Sequence, residues 1–193
     1  PRPGDPVLLR NADRFLSQFL AMGALHRLDQ GLRALAAWTR PVDDALAARY
    51  LSPELAALYR RMRRSERQHS LRVLRRLLDA GQTDPDLLAA ALLHDVGKVR
   101  TRFWLPEKVL VVLVKALAPG AYRRWGSGPA RGWRRPFAVS IQHPAWGAEM
   151  VAAAGGSPLA VELVRRHADH LDGPPQTEAD RLLQALQSVD DQS

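Results

Sequence analysis

Leu87-Leu88-Ala89-Ala90-Ala91-Leu92-Leu93 is an unbroken apolar run. It is entered through Asp84-Pro85, an N-cap followed by a first-turn proline, and left at Gly97. A helix built from such a run has no polar face, so it is stable only if other elements cover it on every side. Any fold for this chain therefore has to wrap around residues 85–97.

The remaining sequence supplies helices for that purpose. Residues 8–50 read as two amphipathic helices broken near Thr39-Arg40-Pro41, after a Pro-rich tail over 1–7. A long helix is expected from Ser52-Pro53 to Ala80-Gly81, where glycine provides the stop. An apolar helix is expected over Pro106–Leu117, and a loop rich in Gly, Pro, Arg and Trp from Pro119 to Pro136. Further helices are expected at 144–154, 158–170 (Ser157 cap) and 178–191 (Thr177 cap). No stretch alternates as a strand would, so the fold class is all-α. Two units are expected: an N-terminal helical extension over 1–50 packing on the core, and a main domain over 51–193 with an Arg/Trp-rich insertion at about 100–140.

The chain has no cysteine among its 193 residues, which excludes disulfides and thiolate metal sites. Any metal has to sit on His, Asp or Glu. The net charge is +8, with 25 Arg and 3 Lys. That balance suits an anionic substrate or surface, and equally a genome that prefers Arg. No apolar run reaches the roughly 18–20 residues a membrane span needs. No signal peptide is visible, and a cytoplasmic location is expected.

Ionisable residues fall on faces that should be buried. At 100° per residue, His69 shares a face with Leu58, Met62, Val73 and Leu77, opposite Arg60, Arg64 and Arg67. His94 and Asp95 close the central apolar helix. His167 lies one turn beyond Leu163 and Val164. Asp190 stacks on Leu183 and Leu186, whereas Asp191 stacks on Gln184 and Gln187 and is expected in solvent. His143, before Pro144, either caps a helix or reaches inward. A buried polar group costs a few kcal/mol unless something satisfies it. Together these residues form an N/O ligand set suited to Fe, Mn, Zn or a similar divalent ion. His26 belongs to no such set and reads as structural or surface.

His94-Asp95-Val96-Gly97-Lys98 resembles the HD-[IV]-G-K signature of the HD-domain superfamily. His143-Pro144 with Gly147-Ala148-Glu149 resembles its HPxxGAE segment. His167-Ala168-Asp169-His170-Leu171-Asp172-Gly173 is similar to the HHExxDG segment of HD-GYP phosphodiesterases, and Val189-Asp190 to the closing Ala-Asp. The likeness runs over roughly residues 60–193, with the motifs in family order. It implies a helical HD-domain bundle, here with two extra N-terminal helices. It also implies a dinuclear site, with His69, His94, Asp95 and Asp190 on one metal and Asp95 bridging to a second held by His143 and His167. Fe or Mn is favoured, with Zn, Co, Ni or Mg as alternatives. Hydroxide bridging the two ions would attack phosphorus. Lys98 would bind a phosphate oxygen, or else simply complement a helix C-terminus.

Two departures matter. Ala168 replaces the second His of HHE, and His170 is a weak substitute one turn from His167. The Gly-Tyr-Pro is missing, since Asp172-Gly173 leads into Pro174-Pro175. A cyclic di-GMP specificity is therefore not carried over.

The expected function is a metal-dependent phosphohydrolase acting on a phosphomonoester or phosphodiester, such as a nucleotide or cyclic dinucleotide. The alternatives are a diiron oxygenase on the same fold and a non-catalytic nucleotide-sensing module. The expected partner is a small phosphate-containing anion rather than nucleic acid, for which no reading motif is present. Tyr122-Arg123-Arg124-Trp125 and Trp133-Arg134-Arg135-Pro136-Phe137 are expected to form a lid over the site, a peripheral membrane contact, or an ordinary exposed loop with its Trp residues tucked in. A homodimer contact through the N-terminal helices is a further expectation.

Overall fold

The computed structural model describes residues 41–101, 104–171 and 173–190. The two expected N-terminal helices (apart from residues 41–50), His26 and Asp191 lie outside the described residues. The described chain is all-α, with helices α1 (Asp44–Ala48), α2 (Pro53–Arg60), α3 (Arg64–Asp79), α4 (Pro85–Leu93), α5 (Leu105–Leu117), α6 (Pro119–Gly126), α7 (Arg135–Ala153), α8 (Pro158–Arg166) and α9 (Glu178–Asp190). Single 3₁₀ turns occupy Val96–Arg100 and Gly132–Arg134. No strand occurs among the described residues.

The apolar run does form the central helix. All seven residues Leu87–Leu93 of α4 are buried, enclosed by α3, α8 and α9. Each fully buried leucine contributes about 1.5–3 kcal/mol, so α4 anchors the bundle. Residues 42–50, assigned by sequence to the N-terminal extension, join this core through Ala47, and Leu51 follows.

The caps aim α4 at the site. Asp84 Oδ1 accepts from the backbone N–H of Asp86 and Leu87 at 3.0 and 2.9 Å, and Ser157 Oγ accepts from Ala160 at 3.0 Å. Ser157 Oγ also donates to Asp86 Oδ1 at 2.6 Å, tying the start of α8 to the start of α4. Both helices are nine residues long, so their far ends arrive together. Those ends are His94 and His167, each the C-cap of its helix.

Four boundaries differ from the sequence expectation. The long helix expected from residue 53 breaks at Arg61–Arg63, where Glu66 Oε2 accepts the Arg63 N–H at 3.0 Å and starts α3 afresh. Leu58 and Met62 are buried but do not share a helix with His69; Val73 and Leu77 do. The expected 119–136 loop is largely ordered into α6 and the second 3₁₀ turn. Around them a small second core forms from Val111, Phe137 and Val139, with Trp125 and Tyr122 packed against it. The helix expected to start at Pro144 starts at Arg135 and runs straight through the proline. The helix expected over 158–170 ends at Arg166.

Candidate metal centre

Three histidines are oriented by carbonyls that their helices leave unpaired. At the C-terminus of α4, His94 Nδ1–H donates to Ala91 O at 3.0 Å. At the C-terminus of α8, His167 Nδ1–H donates to Val164 O at 2.8 Å. Within α7, Pro144 has no N–H to give to Ser140 O, its i−4 carbonyl. His143 Nδ1–H fills that place, 3.0 Å from Ser140 O and 3.0 Å from Val139 O. His143 therefore sits inside a helix, buried, and does not cap one.

With Nδ1 as the donor, each ring turns its Nε2 lone pair inward. His143 Nε2 lies 3.2 Å from His167 Nε2, and His94 Nε2 lies 3.3 Å from His69 Nε2. Asp95 sits between the two pairs. Its Oδ1 faces His143 Nε2 at 3.4 Å and His167 Nε2 at 3.9 Å; its Oδ2 faces His94 Nε2 at 3.8 Å. Asp190 Oδ1 closes the first pair, 2.8 Å from His69 Nε2 and 3.5 Å from His94 Nε2. All six residues expected from sequence as ligands are thus brought to one place.

The donor chemistry fits a cation. The Nε2 lone pairs of His143 and His167, facing at 3.2 Å, repel one another unless a positive centre lies between them. Two ligand atoms on a single ion, each bonded at about 2.1 Å, stand about this far apart. Asp190 Oδ1 is buried and makes no hydrogen bond of good geometry despite its close neighbours. Two groups can each hold a metal: His69, His94 and Asp95, and Asp95, His143 and His167. Asp95 belongs to both.

The electrostatics keep His94, His167, Asp95 and Asp190 in their binding forms. Burial pulls His94 below its ordinary value, against the opposing pull of Asp95 and Asp190. Burial, assisted by the neighbouring His94 and His143, takes His167 down to about 3. Burial pushes the Asp95 carboxyl up, but Lys98, His94 and His143 outweigh it and hold that group well below the usual carboxylate range. Asp190 is also lowered: burial opposes, while its contacts with His69 and His94 prevail.

Lys98 Nζ lies 2.6 Å from Asp95 Oδ2, held there by the 3₁₀ turn that follows the His-Asp pair. It lines a cavity of about 510 Å³ that opens over the ligands. Sequence reasoning missed two other residues of this cavity. Lys115 of α5 lines it, and among the described residues no carboxylate pairs with it. Gln187 of α9 also lines it, and its Nε2 donates to His167 O at 3.0 Å and Asp169 O at 2.7 Å, closing the end of α8. Their spacing carried no signal, because both depend on how distant helices pack. His170 is on the cavity wall but exposed, and it belongs to neither converging group. No residue of 119–136 lines the cavity, so the expected lid is not formed by that segment; the insertion reaches the site through α5. Glu149 of the HPxxGAE-like segment pairs with Arg100 at 2.8 Å, outside the cavity.

Comparison with curated proteins finds no match to this chain, and comparison with solved structures finds none either. The family model described as HD domain matches residues 67–190, which spans His69 through Asp190 and so takes in every converging ligand. The all-helical architecture agrees with that match, and the chain belongs to the HD-domain family.

Proposed function

We propose that this chain is a metal-dependent phosphohydrolase of the HDIG type, related to but distinct from the HD-GYP phosphodiesterases. The supporting observation is the single carboxylate of Asp95, which faces two separate histidine pairs through its two oxygens. His69, His94, Asp95 and Asp190 would hold one divalent ion and Asp95, His143 and His167 a second, with Fe or Mn favoured by the N/O donor set. Such a pair of ions would acidify water and neutralise charge on a phosphoryl group.

The chain's own residues supply the remaining requirements. The Nδ1 hydrogen bonds of His94, His143 and His167 fix ring orientation before anything binds, which limits reorganisation. Lys98 and Lys115 place two ammonium groups on the cavity wall, where they would hold phosphate oxygens by charge-assisted hydrogen bonds. Lys98 would exchange its bond to Asp95 for one to the substrate. The cavity's size and cationic wall fit a small phosphate monoester or diester, such as a nucleotide. These two cations favour a phosphate substrate over an oxygenase reaction on the same ligand set.

The test is metal content per chain, measured on anaerobically purified protein, followed by a screen of phosphate mono- and diesters. About two equivalents of transition metal with phosphate release is the expected result. Substrate-dependent oxygen uptake without phosphate release would replace this reading with the diiron oxygenase. One equivalent or less, not raised by added Mn or Fe, would refute the dinuclear assignment.

A further inference from the structure

Helix α5 is turned the wrong way for a helix of a water-soluble core. Its buried side is narrow: Val111 is buried and Val114 packs beside it against Phe137 and Trp125. The opposite side is entirely apolar and faces solvent. Val109, Leu110, Val112, Leu113 and Leu117 are all exposed, Leu117 to 83% and Val112 to 65%. At 100° per residue these five, with Ala116, cover an arc of about 160° that contains no polar side chain. A continuous apolar face of this kind marks a contact surface rather than ordinary scatter.

Charge indicates what covers it. Between residues 104 and 137 the sequence carries seven cations (Lys108, Lys115, Arg123, Arg124, Arg131, Arg134 and Arg135) and one carboxylate, Glu107. Arg135 pairs with that single carboxylate. A two-fold contact with another copy of the chain through α5 would set this cationic segment against itself. An anionic lipid surface complements it: aliphatic residues enter the acyl boundary while Lys and Arg stay among the headgroups. Lys108 and Lys115 lie seven residues apart along one border of the apolar arc, where such cations belong. Exposed tryptophans belong to the same segment, Trp104 immediately before α5 and Trp133 in the second 3₁₀ turn.

We infer that α5 is a membrane-docking helix that seats its Val109–Leu117 face on an anionic lipid bilayer. Because Lys115 on the same helix lines the metal cavity, docking holds one wall of that cavity at the headgroup layer. The inference stands on the exposed face and the charge of the segment, independently of the reaction catalysed.

The absence of native cysteine permits a direct test. A Leu113→Cys variant of the full chain is labelled with a polarity-sensitive fluorophore and mixed with phosphatidylglycerol-containing vesicles. Expected is a blue shift with quenching by lipid-borne nitroxide, reversed by high salt and missing with pure phosphatidylcholine. In flotation with the same vesicles, a Val109→Asp/Leu113→Asp double variant with unchanged far-UV circular dichroism and metal content is expected to bind at least about tenfold more weakly. Emission already blue without lipid and unaffected by vesicles would show that protein covers the face, either another part of the chain or a second copy, and would overturn the inference. So would undiminished flotation of the double variant.

Discussion

Gly97 and Gly147 meet backbone to backbone, and their meeting allows the two halves of the candidate site to approach. A Cβ on Gly97 would stand 2.0 Å from His143 O and 2.7 Å from Gly147 N, while one on Gly147 would stand 3.2 Å from Gly97 N. The turn after His94-Asp95 therefore rests directly on the helix that carries His143. Neither glycine is needed here for a left-handed conformation; Gly97 is needed because no side chain fits, and at Gly147 a Cβ would crowd the same contact.

Gly97→Ala is accordingly expected to push the 3₁₀ turn away from α7. The nearest obstacle is backbone, which cannot rotate aside, so a cost of about 1–3 kcal/mol or more is expected. Denaturant unfolding measures it, and metal content should fall in the same variant. A fully stable, fully metallated Gly97→Ala protein would contradict the contact.

Asp95 faces both histidine pairs, whereas Asp190 faces only one. Asp95→Ala should therefore empty both groups, and Asp190→Ala should leave the His143–His167 group able to bind. Elemental analysis of the two variants decides this. Equal loss in both would mean that the groups do not bind independently.

Pro144→Ala gives Ser140 O a helical N–H donor and so removes part of the reason for the orientation of His143. Metal affinity should drop by about tenfold or more, in the range found for lost outer-shell partners, while the helix itself becomes no less stable. Competition with a chelator reads the affinity, and thermal unfolding of the metal-free protein reads the stability. Unchanged affinity would show that Val139 O alone orients the ring.

His167 resists protonation when folded, with its value taken down to about 3 against an ordinary 6.5. Below pH 6.5 the unfolded chain takes up a proton that the folded one refuses. Folding stability is therefore complete above that value and declines as pH falls, by about 1.4 kcal/mol per pH unit for one such group. His94 shifts in the same direction. Chelator-treated protein should lose at least about 2 kcal/mol between pH 7 and 5 in urea unfolding, the share of His167 alone. A flat profile over that interval would mean that these rings carry a proton in the folded state.

Lys115→Gln should raise KM for a phosphate ester by about tenfold while leaving metal content unchanged, because the side chain lines the cavity without touching a ligand group. Steady-state kinetics with metal analysis on the same sample checks both halves. A KM equal to that of the unaltered protein would remove Lys115 from substrate binding.

Much of this molecule is legible in its sequence. The apolar run Leu87–Leu93 demanded burial, and cap residues Ser52, Asp84 and Ser157 marked helix starts, because capping is local chemistry within three residues. His69, His94, Asp95, His167 and Asp190 stood out because a helix repeats every 3.6 residues and they fell on apolar faces. Other features depended on contacts that no local rule describes. Pro144 reads as a helix start, yet here it lies within one, since His143 satisfies the carbonyl that the proline strands. The break before α3 carries no Gly or Pro, only a Glu66 side chain returning to Arg63. The sequence alone determined an all-helical chain with a buried N/O ligand set. Only the tertiary structure decided that Ser157 ties α8 to α4, that Gly97 rests on Gly147, and that Lys115 reaches the cavity while the rest of α5 shows its apolar face to solvent. The physical reason is range: periodicity and caps act over one or two turns, whereas these contacts join residues 50 and 71 positions apart or set a helix against partners far along the chain.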